Sequence, residues 1–266
     1  MRIWYQLMAS EHGMNNFVAA TQALCDKVAA PGTTVEVHGT REGAYGDQYR
    51  LFWNYNVREI IRNGLEAGTS GKFDAFVVAN SLEPGMVELR EVLDIPIISF
   101  MEVCCFTACT MGEKFALIVP NEKFVPRYRE IVYGYGIISR LATIEPLASY
   151  ENTRNFNQAF VDEKQEAVCI AEITATARRA IDKGAEVVIA IGAATALLAK
   201  KGIYQIDGVP VLDSYSLLVK QAEATVGYRR ITGTHISRKR LYQSPPAELL
   251  QRAATIHDIK PLLKGK

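Results

Sequence analysis

The sequence predicts a doubly wound α/β fold, and three observations carry that expectation. Short apolar runs alternate with segments of helical period along the chain. The runs are rich in Val and Ile and nearly continuous, as strands buried on both faces should be. The chain also repeats a pattern: DAFVVA at 74–79 is followed by a helical stretch and IPIIS, and EVVIAI at 186–191 by a helical stretch and VPVLD. Strands separated by helices imply βαβ units, a parallel sheet and right-handed crossovers. The repeat suggests two related lobes facing one another. Any two βαβ units share such a pattern, so the repeat alone leaves that open.

In chain order, the apolar runs place strands at Ile3–Leu7, Thr34–His38, Phe73–Ala79, Pro96–Phe100, Phe115–Val119, Ser139–Ile144, Glu186–Ile191 and Val209–Leu212. Helical period falls between them at Asn15–Val28, Tyr55–Leu65, Met86–Leu93, Val125–Tyr135, Gln158–Lys183 and Leu217–Thr225. The stretch VVANSLEPGM reads as a buried strand that stops at a polar pair, Asn80-Ser81, before a Pro-Gly opening of a helix. FMEVCCFTAC at 100–109 runs from a strand end into a further helix.

Length and composition bound the function. A chain of 266 residues suits one large domain or two of about 100–150 residues. Apolar residues make up 48% and charged residues 22%, ordinary for a globular protein with a full core. The formal net charge of +1 supplies no basic excess for phosphate backbones, so no nucleic-acid partner is expected. No apolar run approaches the ~20 residues of a membrane span. The first residues, MRIWYQLMASEHG, hold one Arg and no long apolar run, and read as a strand rather than a signal peptide. Five cysteines, an odd number without CxxC, argue for reduced thiols and a cytoplasmic location. The four histidines are scattered, so no metal site is expected. No Walker loop is present and no GxGxxG follows the first strand, so no NAD, ATP, flavin or other cofactor is expected.

Ligands of open α/β sheets sit beyond the carboxyl ends of the strands. Those ends place Gln6 to Ser10, Asn80-Ser81, Phe100 to Cys105, Pro120-Asn121, Gly192 to Thr195 and Asp213-Ser214 around a site. An amide at Asn80 can donate to an oxyanion and accept from an N–H. Ser81 can hydrogen-bond or, beside a base, attack. Glu83 reads as a cap on the helix that follows it. Glu102, at a strand–helix junction, is a candidate general base if desolvated. Cys104 and Cys105 read either as small buried hydrophobes or as thiols activated near a helix N-terminus. Asp213 is either an acid/base group or an N-cap. Thr195 can hydrogen-bond a carbonyl. His12 lies in the loop after the first strand, within reach of a cleft, and His235 lies in a polar loop that is surface or lid.

At these residues the chain resembles the aspartate/glutamate/hydantoin racemase superfamily, on its hydantoin racemase side. The likeness rests on KFDAFVVANSLEPGMVELREVLDIPIIS at 72–99, GEKFALIVPNEKFVPRYREIVYGYG at 112–136, GAEVVIAIGAATALL at 184–198 with GVPVLDS at 208–214, and SRKRLYQSPPAELL at 237–250. The resemblance implies two Rossmann-like lobes with parallel sheets related by a pseudo-twofold and an active site in the cleft between them. The expected division is 1–104 plus 218–266 for the first lobe and 105–217 for the second. It implies cofactor-free proton transfer beside a carbonyl, on a small acid or cyclic amide, and an even-numbered homo-oligomer. Gln6 and Ser10 match positions where the family hydrogen-bonds the polar end of its substrate, and Asn121, Gly192 and Ala193 complete the expected binding surface.

The family moves the proton with one cysteine from each lobe. Here the first position falls on Asn80 and the second on Ala193, or on Gly192 if the strand is read one residue tighter. None of these carries a proton at neutral pH. The expected catalytic set is therefore Asn80, Glu102, Cys105 and Asp213, in a divergent racemase, in a one-sided lyase, decarboxylase or ring-opening hydrolase, or in a protein that only clamps a small anion.

Overall fold

The computed structural model describes residues 1–148 and 153–263. Its first half is a β-α-β-α-β-α-β run: β1 (Arg2–Ser10), α1 (Asn15–Val28), β2 (Thr34–Thr40), α2 (Arg50–Thr69), β3 (Ala75–Val78), α3 (Met86–Val92) and β4 (Ile97–Ser99). These strands form a parallel sheet in the order β2-β1-β3-β4. Helix α4 (Phe100–Met111) leads to β5 (Phe115–Val119), α5 (Val125–Gly134), β6 (Leu141–Pro146), α6 (Thr153–Ala159), α7 (Glu163–Asp182), β7 (Val187–Ala190) and α8 (Ala193–Lys200). The second parallel sheet runs β6-β5-β7 and gains a parallel bridge from Val188 to Val211 at its edge. With Val211 counted as a fourth strand, both sheets follow one order. The short pair β8 (Gln205–Ile206) and β9 (Val209–Pro210) precedes it, and α9 (Ser214–Thr232), α10 (Ala247–Ile256) and α11 (Lys260–Leu263) complete the chain.

The sheets are tied by an exchange of helices. Helix α4 leaves β4 of the first sheet and packs on β5 and β7 of the second; α9 leaves the edge of the second and packs on β3 and β4 of the first. One continuous apolar core therefore runs through both, from Ile3 and Val77 to Leu117, Ile189 and Leu218. No helix among the described residues is long and apolar enough to cross a membrane.

Several predicted boundaries move, each for a local reason. The strand expected from Ser139 starts at Leu141, because Ile138–Arg140 turns and the Arg140 guanidinium donates to the carbonyls of Cys109 and Gly112. The helix expected over Gln158–Lys183 is two helices, because Asp162 accepts from the N–H groups of Lys164 and Gln165 and caps a new start. The strand expected over Val209–Leu212 splits: Val209–Pro210 turns back on Gln205–Ile206, and only Val211 joins the large sheet. Helix α4 begins at Phe100, directly after β4, without an intervening loop.

Candidate active site

The strand registers fix which residues of the two lobes are equivalent. Gln6 lies beside Val78 in the first sheet, and Ile118 beside Ala190 in the second. The next bonds match as well, Ala79 N–H to the Gln6 carbonyl and Ile191 N–H to the Ile118 carbonyl. Two residues past Val78 and Ala190, Asn80 therefore corresponds to Gly192, Ser81 to Ala193 and Glu83 to Thr195. The turns close alike, with Glu83 N–H on the Asn80 carbonyl at 3.0 Å and Thr195 N–H on the Gly192 carbonyl at 3.2 Å.

These two turns face one cavity of about 370 Å³ at the carboxyl edges of both sheets. Ser10, Asn80 and Ser81 line it from the first lobe, Pro120, Tyr128, Gly192 and Ala193 from the second, and Tyr215 is part of its wall. Gly192 adopts φ 66° and ψ −139°, a conformation suited to glycine, and a Cβ there would meet only open space. The Ser81 hydroxyl is hydrogen-bonded to the Tyr128 hydroxyl at 2.6 Å, joining β3's turn to α5 across the lobes. Asn80 Oδ1 accepts from Leu82 N–H and holds the turn in shape.

The loop between β2 and α2 covers the cavity with Glu42, Gly43, Ala44, Tyr45 and Asp47. Gly43, at φ 76°, packs so close that a Cβ would lie 2.7 Å from the Ser10 nitrogen. Helix α5 clasps this loop from the other lobe. Arg127 Nη1 donates to the Asp47 carbonyl at 2.7 Å, its guanidinium lies 4.6 Å from the centre of the Trp53 ring, and Arg50 pairs with Glu130 at 2.6 Å. Burial pushes the Asp47 carboxyl up to about 7, against the opposing pull of Arg127 and nearby backbone N–H groups. Asp47 lies in the loop that follows β2, whose carboxyl end is on the same edge of the sheet.

Of the residues expected at the site, Ser10, Asn80, Ser81, Gly192 and Ala193 meet here, together with Leu7, Met8, Ala9 and Pro120 of the expected strand ends. Gln6, Asn121, Thr195, Asp213, Glu102 and Cys105 do not. Gln6 is buried, with Nε2 donating to the carbonyls of Leu7 and Gly39 and Oε1 accepting from Trp4 and Asn63, so the α2 face of the sheet uses its amide. Asn121 caps the short turn before α5 by accepting from Lys123 N–H, and lies in a neighbouring hollow. Thr195 donates to the Leu212 carbonyl and accepts from Ser214 N–H. Asp213 caps α9, accepting from Ser216 N–H at 3.1 Å.

Glu102 sits on the first turn of α4 and faces another hollow, of about 690 Å³, with His235 and Tyr242. There it forms a bidentate pair with Arg90, at 3.0 Å and 2.5 Å, so it is held as an ion-pair partner away from the cavity. Cys105 is fully buried, and its thiol is pushed well above its ordinary range; Cys104 is likewise buried and pushed up to about 12. Both are inert apolar fillers at neutral pH rather than activated thiols. His12 lines a small surface depression with His38 and Trp4. Glu83 caps α4 rather than its own following helix: its carboxylate accepts from Ser99 Oγ, Glu102 N–H and the Tyr135 hydroxyl. Burial raises its pKa, and it occupies φ 56°, the left-handed region.

The cavity combines hydroxyl and amide donors, one half-buried carboxyl and the open start of α8, whose first N–H groups lack helical acceptors. Among its described lining residues there is no Lys, Arg, His or Cys. It can hold a small, largely neutral carbonyl compound and stabilise negative charge on its oxygen.

The sequence matches the profile of the family described as Asp/Glu/Hydantoin racemase over residues 6–222. It is 26% identical over 203 residues to a hydantoin racemase of Pseudomonas sp. (strain NS671), covering 76% of this chain and 74% of that one. Its fold is similar to allantoin racemase from Pseudomonas fluorescens, with a TM-score of 0.75, 21% identity, and coverage of 92% of this chain and 97% of that one. It is also similar to unliganded arylmalonate decarboxylase, with a TM-score of 0.57, 14% identity, and coverage of 85% and 92%.

Proposed function

The chain belongs to the Asp/Glu/hydantoin racemase family, and from that premise we propose that it is a cofactor-independent enzyme that moves a proton at the carbon beside a carbonyl of a small cyclic amide of the hydantoin type. The observation that supports this most is the asymmetric cavity: the Asn80 amide and the linked Ser81–Tyr128 hydroxyl pair stand on one side, while Gly192 and Ala193 opposite leave room for the ring. As the C–H bond breaks, its electron pair moves to the carbonyl oxygen. The hydroxyl pair of Ser81 and Tyr128 then stabilises that oxyanion more strongly than the ground-state carbonyl. The absence of Lys, Arg and His among the described lining residues favours a neutral ring over a dicarboxylate.

A second reading, decarboxylation or another one-sided lyase reaction, draws on the same asymmetry, since such chemistry needs only one proton donor. It ranks below the first because a substrate with two carboxylates would meet the Asp47 carboxyl without a lining cation. Incubation in deuterated water at neutral pH separates the two. We expect a 5-substituted hydantoin to lose its α-proton signal by NMR without loss of substrate. Consumption of a 2-substituted malonate with the hydantoin untouched would instead establish the lyase, and binding of either without exchange or loss would overturn both.

A further inference from the structure

We propose that Asp47 is the base that takes the substrate's α-proton, delivered over the cavity by the loop between β2 and α2. The inference rests on the proton-transfer reading above and adds the group that reading lacks. Among the described lining residues, Asp47 and Glu42 are the only carboxyls. They differ in setting: Glu42 is exposed and paired with Arg41 at 3.2 Å, whereas Asp47 is half-buried and the second lobe holds its backbone through Arg127.

The clasp fixes the backbone that carries the carboxyl. Arg127 grips the carbonyl of residue 47 rather than its carboxylate, so the acid is located without being neutralised by a bidentate pair. Arg50 and Glu130 satisfy each other, and Lys123 lies over the Tyr49 ring at 5.6 Å. The charged and titratable groups that share these hollows with Asp47 are Glu42, Tyr45 and Tyr49 on its own loop, Glu122 and Lys123 before α5, Arg127 and Tyr128 on it, and Tyr215 on α9.

The step balances without a co-reactant. The Asp47 carboxylate forms an O–H bond as the substrate C–H bond breaks, and the electron pair moves into the carbonyl, whose oxygen takes a hydrogen bond from the linked Ser81–Tyr128 hydroxyl pair. Reversal returns a proton to the carbon. In deuterated water the Asp47 carboxyl exchanges with solvent between the two steps, and deuterium is delivered instead. A base titrating close to working pH is well matched to this task, and burial sets Asp47 there.

The test is hydantoin α-proton exchange by the full chain and by Asp47→Asn and Asp47→Glu, followed from pH 5 to pH 9. Asparagine keeps the carbonyl that Arg127 holds. We expect Asp47→Asn to lower kcat about 100-fold or more with KM within threefold, in keeping with general-base contributions. The wild-type rate should rise with pH through about 7 and that limb should vanish in Asp47→Asn. Asp47→Glu should retain a pH-dependent limb and part of the rate. Exchange by wild type and Asp47→Asn at equal rates would overturn the role of Asp47 while leaving the functional reading intact. So would a slower Asp47→Asn that keeps the limb, since that marks a loop-positioning effect only. No exchange by the wild type would overturn both.

Discussion

The turn after β3 and the turn after β7 hold equivalent places in equivalent sheets, yet they carry opposite chemistry. The first reads Asn80-Ser81-Leu82-Glu83 and the second Gly192-Ala193-Ala194-Thr195. Both close with the same backbone bond, and both send their fourth residue to anchor the helix beyond the lobe's last strand. Glu83 reaches Ser99 and Glu102 N–H at the start of α4; Thr195 reaches Leu212 and Ser214 at the start of α9. The scaffold is duplicated while the cavity's polar groups are not. On the second side Ser81's hydroxyl is replaced by a methyl and Asn80's amide by nothing, so our reading places the reaction on one face of the substrate.

The anchors should differ most when cut. Glu83→Ala leaves the donors of Ser99, Glu102 and Tyr135 without their carboxylate and should cost about 3 kcal/mol by denaturant unfolding. Thr195→Val at the equivalent place should cost about 1 kcal/mol. Equal costs would break the claim that the first turn bears the heavier anchor. Next in size is turnover. Ser81→Ala should slow exchange about 100-fold with folding retained, the usual penalty for losing an oxyanion donor. Ala193→Ser, which adds a hydroxyl at the equivalent position, should change the rate less than threefold; a large change there would show that both sides act.

A smaller effect concerns pH and stability. The Asp47 carboxyl titrates at about 7 in the folded chain, above the ~3.9 of an unfolded aspartate. The folded state then binds the extra proton between those values, so this group's stabilising contribution is present at low pH and lost as pH rises through about 7. Asp47→Asn should therefore raise the melting temperature relative to wild type at pH 8 and leave it nearly unchanged at pH 4. A difference independent of pH would mean that Asp47 is not desolvated. The smallest expected effect is none: a thiol reagent at pH 7 should leave Cys104 and Cys105 unmodified in the native protein and the exchange rate unchanged. Rapid labelling with loss of exchange would return a thiol to the mechanism.

Much of this arrangement was legible in the sequence, and the losses have physical causes. Apolar runs located every strand of the two parallel sheets, because strands buried on both faces tolerate little else. Strand ends pointed to Ser10, Asn80, Ser81, Gly192 and Ala193 for the same topological reason. Gln6 was misplaced because side chains alternate along a strand, and it lies with Trp4 on the face that α2 covers. Glu102 and Cys105 were misplaced because α4 starts without a loop and crosses to the other lobe. That crossing turns Cys105 into the core and Glu102 toward Arg90. Asp47 went unseen because nothing local marks a loop aspartate as buried; only the clasp from α5, about 80 residues away, does so.

One measurement addresses the one-sided site most directly: deuterium incorporation into each separate enantiomer of a 5-substituted hydantoin, followed at neutral pH against a protein-free control, with chirality read at early times. We predict that one enantiomer exchanges at least tenfold faster than the other and does so with retention ahead of inversion. Equal rates for the two, with each deuteron arriving on the inverted face, would mean that both lobes supply a proton-transfer group and would contradict the account.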